Sequence, residues 1–190
     1  MSTKKNNIGF IIGRFQPFHN GHLNYLLEAI NLFDEIFVNI TNPDPSVFVQ
    51  VMEDDHRHKI DANIFTYYER LLMVRNTLRY ENIDSERVTI VPFPIHQPKL
   101  WKYYVPLCAT AFIRVFDQWD QQKVYHLSSA GYNVYERKMK KEDRITSGEF
   151  VRKLITEYQD LRNYVPKGSI DVINRYFSCR NQKSRLADIA

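Results

Sequence analysis

Ile11-Ile12-Gly13-Arg14-Phe15-Gln16-Pro17-Phe18-His19-Asn20-Gly21-His22 is the stretch on which the reading of the fold turns. The apolar run from Ile8 to Ile12 is short, branched and closed by Gly13, and reads as a buried first strand. From Leu23 onward, Leu23, Tyr25, Leu26, Ala29, Ile30 and Phe33 recur at helical spacing. The residues between therefore join the carboxyl end of a strand to the amino end of a helix. In a wound α/β sheet, ligands bind at that place, and the exposed N–H groups of the helix favour anions. The turn also carries Arg14 and two histidines three residues apart, so His19 and His22 are expected on one side of the first helical turn. These features predict a phosphate site. The plainer alternative is a turn whose histidines only cap the helix.

The rest of the chain continues the alternation. Glu35 to Ile40 reads as a second strand, stopped by Pro43 and Pro45. Residues 41–65 form a long polar connection, of a length that is functional or disordered in compact domains. Its Glu53-Asp54-Asp55-His56-Arg57-His58-Lys59 run admits three readings: a solvated loop, a metal site by ligand type, or a lid over polyphosphate. Thr66 and Glu69 make a capping box for a helix reaching about Tyr80, with Leu71, Leu72, Val74 and Leu78 on its apolar face. Strands are predicted at Arg87–Val91, Ala111–Phe116 and Tyr132–Tyr135. Helices are predicted at Lys99–Ala109 and Gln121–Ser129, and from near Pro166 to Phe177. The fold class is thus α/β, a Rossmann-like doubly wound parallel sheet with C-terminal helices.

Composition sets the outer bounds. The chain has 190 residues, enough for one wound sheet covered on both faces. Residues 1–177 are read as one domain and 178–190 as a polar tail. With 44% hydrophobic and 25% charged residues, the pattern is that of a globular chain. The formal charge of +4 suits a protein that handles polyphosphate without arguing for nucleic acid, and no basic stripe with interleaved aromatics is present. No apolar run approaches a membrane span, and the polar start lacks a signal-peptide core. Cys108 and Cys179 have no ligand-like spacing and point to a reduced, cytoplasmic setting, with Cys108 expected in the core.

A second anion site is written in Arg144-Ile145-Thr146-Ser147-Gly148-Glu149-Phe150-Val151-Arg152. Thr146 or Ser147 would begin a helix with free backbone N–H groups. Gly148 allows close backbone approach, and Arg152, one turn on, would bring a forked guanidinium to the same anion.

Gly13 to His22 resembles the HxGH nucleotidyltransferase superfamily, in the form seen in archaeal-type nicotinamide-nucleotide adenylyltransferases. The 144–152 segment resembles the Ile-Ser-Gly-Thr-x-Ile-Arg motif that accompanies it, with Glu149 where threonine is usual. Asn63-Ile64-Phe65-Thr66-Tyr67-Tyr68-Glu69-Arg70 is similar to a further family segment, with Ile64 in place of proline, and Leu161 to Pro166 matches its ending. The resemblance implies transfer of a nucleoside monophosphate to a phosphate-bearing acceptor with release of pyrophosphate. His19, His22 and Arg152 are then the expected catalytic residues. Gly13, Arg14, Phe15, Gln16, Gly21, Thr146, Ser147 and Gly148 are expected to bind nucleotide or phosphate. Mg²⁺ is expected to ride mainly on substrate phosphates, with no protein metal site.

The leading expectation is AMP transfer from ATP to nicotinamide mononucleotide. A cytidylyl- or adenylyltransferase for another small phosphorylated or phosphonate acceptor is the alternative, and a nucleotide-sensing module without turnover the remoter one. Trp101 is expected either to stack on an acceptor ring or to pack at the surface, and Asp117 and Trp119 stand where the family contacts its nucleotides. The 117–120 turn is bulkier and more acidic than the family's, and His96-Gln97 replaces an expected acidic residue. Oligomers are common in the resembling family, which makes a homo-oligomer an expectation.

Overall fold

The computed structural model describes residues 7–43 and 62–177. The charged 53–59 run, most of the long connection and the 178–190 tail lie outside the described residues. Among the described residues five strands are found: β1 (Ile8–Gly13), β2 (Glu35–Thr41), β3 (Val88–Phe93), β4 (Thr110–Val115) and β5 (Asn133–Lys138). They form a single parallel sheet in the order β3-β2-β1-β4-β5. Chain order runs outward from β1 to β3, then jumps back to β4 on the other side, so the topological switch lies between β1 and β4.

The helices are α1 (Asn20–Leu32), α2 (Tyr67–Tyr80), α3 (Gln118–Ser129), α4 (Gly148–Thr156) and α5 (Lys167–Val172), the last running into a π-helical turn at Ile173–Phe177. Alternate residues of each strand face two separate cores. Ile11, Ile36, Val38, Ile40 and Phe112 pack under α1, α2, α4 and α5 with Leu26, Met73, Val151 and Val172. Phe10, Phe93, Ala111 and Ile113 pack on the other face with Trp101, Val105, Val124 and Leu127. Both sheet faces are covered, which explains why the central strands read as apolar runs rather than alternating ones.

Three expectations are corrected. The Lys99–Ala109 helix is only a 3-10 turn at Pro98–Tyr103, because Pro106 cannot continue it. Cys108 is exposed rather than core, because Val105 and Ala109 take the inward positions of that segment. Helix α3 starts at Gln118, not Gln121, with the Asp117 carboxylate accepting from Asp120 N at 3.0 Å as its cap. The Thr66 box forms as read: Thr66 Oγ1 accepts from Glu69 N at 3.2 Å, and Glu69 Oε2 accepts from Thr66 N at 2.7 Å.

Candidate active site

The turn after β1 is tightly wound. Phe15 adopts φ 51°, in the left-handed region, and its ring is fully buried. Its contribution to any ligand is therefore its backbone. Gln16 is also buried, and its amide is committed at both ends: Nε2 donates to Phe65 O at 2.8 Å and Oε1 accepts from Phe65 N at 2.9 Å. The Gln16 amide thus braces the turn against the residues before α2, while Gln16 also lines one of the two cavities that flank the histidines.

His19 and His22 then stack, with ring centroids 3.7 Å apart and planes 20° from parallel. His22 Nδ1 accepts from His19 N at 3.4 Å, which assigns the His22 proton to Nε2. Burial is the main force on both rings. It pulls the pKa of His19 down to about 4, helped by the positive charges of Arg144 and Arg152. His22 is likewise held well below the usual histidine range, by burial first and then by His19. Both imidazoles are therefore neutral at pH 7, and the negative charge of a polyphosphate would oppose only the smaller part of the shift that Arg144 and Arg152 contribute at His19.

The second motif closes on the first. Ser147 caps α4, its Oγ accepting from Phe150 N at 3.2 Å. Arg152, one turn on, donates from Nη1 to Gln16 O at 2.9 Å. A Cβ on Gly148 would stand 3.0 Å from Gln16 O and 3.2 Å from Arg152 Nη1, so only glycine leaves this contact undisturbed. Gly21 plays the matching part in α1, where a Cβ would stand 3.0 Å from the His19 ring. Two buried polar atoms at this junction, His19 Nδ1 and Thr146 Oγ1, lack hydrogen-bond partners within the protein.

Two cavities flank the histidines. The first, of about 250 Å³, is lined by His19, Gly21, His22, Tyr25, Arg114, Lys123, Arg144, Thr146, Ser147 and Gly148 among others, toward β4 and α3. The second, of about 310 Å³, opens toward β1, β2 and the connection after β3. Gly13, Arg14, Phe15, Gln16, Thr41, Asn42, Ile95, His96 and Arg152 line it, with Asp117 and Trp119 on its α3 rim. His19, His22, Lys123, Arg144 and Gly148 belong to both. The structure thus brings together every expected residue of the two motifs, together with Asp117 and Trp119. Trp101 stays apart. Its side chain is buried against Phe93, Nε1 donates to Pro94 O at 2.9 Å, and it lines neither cavity. Of its two readings, packing holds here, although inside the core rather than at the surface.

A family model described as cytidylyltransferase-like matches residues 10–159, which span both motifs and both cavities. The chain belongs to the cytidylyltransferase-like family. It is a nucleotidyltransferase, close to the archaeal nicotinamide-nucleotide adenylyltransferases. Phosphonoformate cytidylyltransferase of Streptomyces viridochromogenes is 37% identical over 165 residues, covering 87% of this chain and 89% of that protein. Nicotinamide-nucleotide adenylyltransferase of Saccharolobus solfataricus is 31% identical over 160 residues, covering 84% and 85%. In fold, the chain is similar to a bifunctional NMN adenylyltransferase/ADP ribose pyrophosphatase from Francisella tularensis, with a TM-score of 0.58 and 17% identity. That alignment covers 97% of this chain and 57% of the other, so this nucleotidyltransferase spans little more than half of that protein.

Within the family frame, one residue absent from the sequence-based candidates stands out. Arg70 of α2 is buried and donates to four main-chain carbonyls: Arg14 O at 2.8 Å, Thr41 O at 2.7 Å, Asn42 O at 2.8 Å and Thr66 O at 3.3 Å. It pins the carboxyl ends of β1 and β2, the rim of the second cavity. Burial lowers its pKa to about 10, which leaves it charged at neutral pH. Its place in the Glu69-Arg70 pair was visible in the sequence, but a side chain that binds only backbone leaves no partner residue to find.

Proposed function

We propose that this nucleotidyltransferase transfers CMP from CTP to a small acid bearing a phosphonate or phosphate group, releasing pyrophosphate. The make-up of the second cavity carries this reading. Arg14, His96, Arg144 and Arg152 bring cationic or protonatable side chains to it, Thr41 and Asn42 bring polar ones, and Trp101 is turned away into the core. Such a chamber favours a compact oxyanion over a flat heterocycle. The 37% identity to phosphonoformate cytidylyltransferase supports the same acceptor class.

In the transfer, an acceptor oxygen attacks the α-phosphorus. A new P–O bond forms, the bond to the β-phosphate oxygen breaks, and pyrophosphate leaves with the electron pair. Positioning and charge neutralisation are the protein's tasks, since no covalent enzyme nucleophile is required. Thr146 Oγ1, the backbone at Ser147 and Gly148, and the amino end of α4 would hold the triphosphate. His19 and His22 would donate to oxygens around the α-phosphorus, and Arg152 would neutralise charge on the leaving group. Arg14 would face the acceptor's reacting group.

Mg²⁺ fits this donor set as a companion of the triphosphate. Of the lining carboxylates, Asp117 caps α3, Asp120 accepts from Phe116 N at 3.0 Å and pairs with Lys123 at 2.6 Å, and Asp143 accepts from Lys140 N at 2.8 Å, so phosphate oxygens would supply most ligands. The ion supplies charge neutralisation on the phosphates.

AMP transfer from ATP to nicotinamide mononucleotide is the second reading, favoured by the 31% identity to the Saccharolobus adenylyltransferase. Pyrophosphate release with Mg²⁺ decides between them, in the four combinations of CTP or ATP with phosphonoformate or nicotinamide mononucleotide. Fast release with CTP and phosphonoformate supports the first reading. Fast release only with ATP and the mononucleotide, with NAD formed in equal amount, replaces it with the second.

A further inference from the structure

Asn39 lies in the interior of β2 with no solvent exposure, and neither its Nδ2 nor its Oδ1 has a hydrogen-bond partner. Among the described residues it is the one side chain with two buried polar atoms that are both unmet. An apolar residue of similar size would fit a buried strand position without that cost, so a carboxamide here calls for a reason. Thr77 and Ser169 also carry unmet hydroxyls, but those belong to α2 and α5, away from both cavities.

The register places Asn39 beneath the acceptor side of the site. It pairs with Ile12 of β1 and Val91 of β3. Ile12, Phe37 and Val91 pack on the Trp101 face of the sheet, so Asn39 faces that way too. Ile12 and Thr41 both line the second cavity, and Thr41 follows Asn39 by two residues on the same face. Asn39 itself lines neither cavity: it lies about 7 Å of strand below the Thr41 rim, beside the half-buried Ile12, which lines both.

We propose that Asn39 is a specificity residue for the acceptor, hydrogen-bonding a planar carboxylate or carboxamide at the end opposite the reacting phosphorus. A carboxylate accepts from Nδ2, and a carboxamide meets both Nδ2 and Oδ1. The apolar neighbours Ile12, Phe37 and Val91 suit a flat group whose polarity is confined to its edge. The proposal rests on the transfer reaction above but not on the choice between its two acceptors, both of which carry such a group. Because Asn39 lines neither cavity, the Ile12 side chain must move aside for the acceptor to reach it.

The test compares acceptors with and without the carbonyl group: phosphonoformate against methylphosphonate with CTP, and nicotinamide mononucleotide against ribose 5-phosphate with ATP. Wild-type protein, Asn39→Leu and Asn39→Ala are assayed for kcat/KM, the alanine variant covering the case in which leucine does not fold. In the pair that wild type uses, it should prefer the carbonyl-bearing acceptor by ~100-fold or more. Both variants should reduce that preference at least ~10-fold, with the KM for triphosphate within about twofold of wild type. The pair that responds tells carboxylate from carboxamide. An unchanged preference in an active variant overturns this inference alone. A wild type that turns over neither pair overturns the transfer reading and this inference with it.

Discussion

Arg152 Nη1 donates to the carbonyl of Gln16 at 2.9 Å, across 136 residues of sequence. The bond joins the turns of the two motifs. It also holds the guanidinium beside the wall of the second cavity. Arg152→Lys keeps the charge but loses the planar fork, so a lysine cannot hold the carbonyl and grip a phosphate at once. Turnover is expected to fall by a factor of ~10² to ~10³, the usual cost of one contact aimed at developing charge. Steady-state pyrophosphate release measures it, and a variant within about threefold of wild type would remove Arg152 from the mechanism.

Gly148 allows that bond to form. A methyl group at this position would press on both Gln16 O and Arg152 Nη1, at 3.0 and 3.2 Å. Gly148→Ala is a good substitution for a helix as such, so the thermal midpoint should change little. Turnover should fall at least ~10-fold because the two motifs are pushed apart by a few tenths of an ångström. A midpoint that collapses along with activity would mean that the glycine serves folding instead.

The depressed pKa of His19 ties stability to pH. The unfolded chain takes up a proton at this histidine near pH 6.5, and the folded chain only near pH 4. Between those values the unfolded state binds more protons, so folding weakens as pH falls through the window and levels off below it. The interval corresponds to ~3 kcal/mol for this one group at about 1.4 kcal/mol per unit. Denaturant unfolding at intervals from pH 7.5 to 4.5 should therefore show a shallower loss for His19→Gln than for wild type. Parallel curves for the two proteins would show that the ring is not held neutral.

The parts legible in sequence share a physical basis. Ile8 to Gly13, the His19–His22 pair and the Thr66–Glu69 box depend on neighbours within four residues, and the structure keeps them nearly as read. What was not legible at Gln16 depends on a partner far along the chain: its amide is bonded to Phe65, 49 residues away. Asn39 raised no signal, because one polar residue in an apolar run says nothing about whether its amide is satisfied. The Asp117 cap could have been found, since an Asx residue three before Asp120 is a helix-start pattern.

Trp101 gives the choice between its two readings a measurable form. With its ring on Phe93 and its indole N–H on Pro94 O, it should contribute to folding rather than to acceptor binding. Trp101→Phe removes the hydrogen bond and part of the buried ring, which should cost about 1–2 kcal/mol in denaturant unfolding. The KM for acceptor should stay within about twofold of wild type. A large rise in that KM without loss of stability would return Trp101 to the binding site.

Arg70 offers the sharpest separation of scaffold from chemistry. It lines neither cavity, yet its guanidinium satisfies Arg14 O, Thr41 O and Asn42 O at 2.8, 2.7 and 2.8 Å. A lysine in its place has three donors on a single nitrogen and cannot reach carbonyls spread along two strand ends. Arg70→Lys should therefore leave buried carbonyls unpaired and lower stability by at least ~2 kcal/mol. Because Arg14 and Thr41 line the second cavity and the α4 side of the site is untouched, the KM for acceptor should rise more than that for triphosphate. Measured together, a destabilised variant with a selective rise in acceptor KM supports the clamp. Equal rises in both constants would mean that Arg70 supports the histidine turn as a whole.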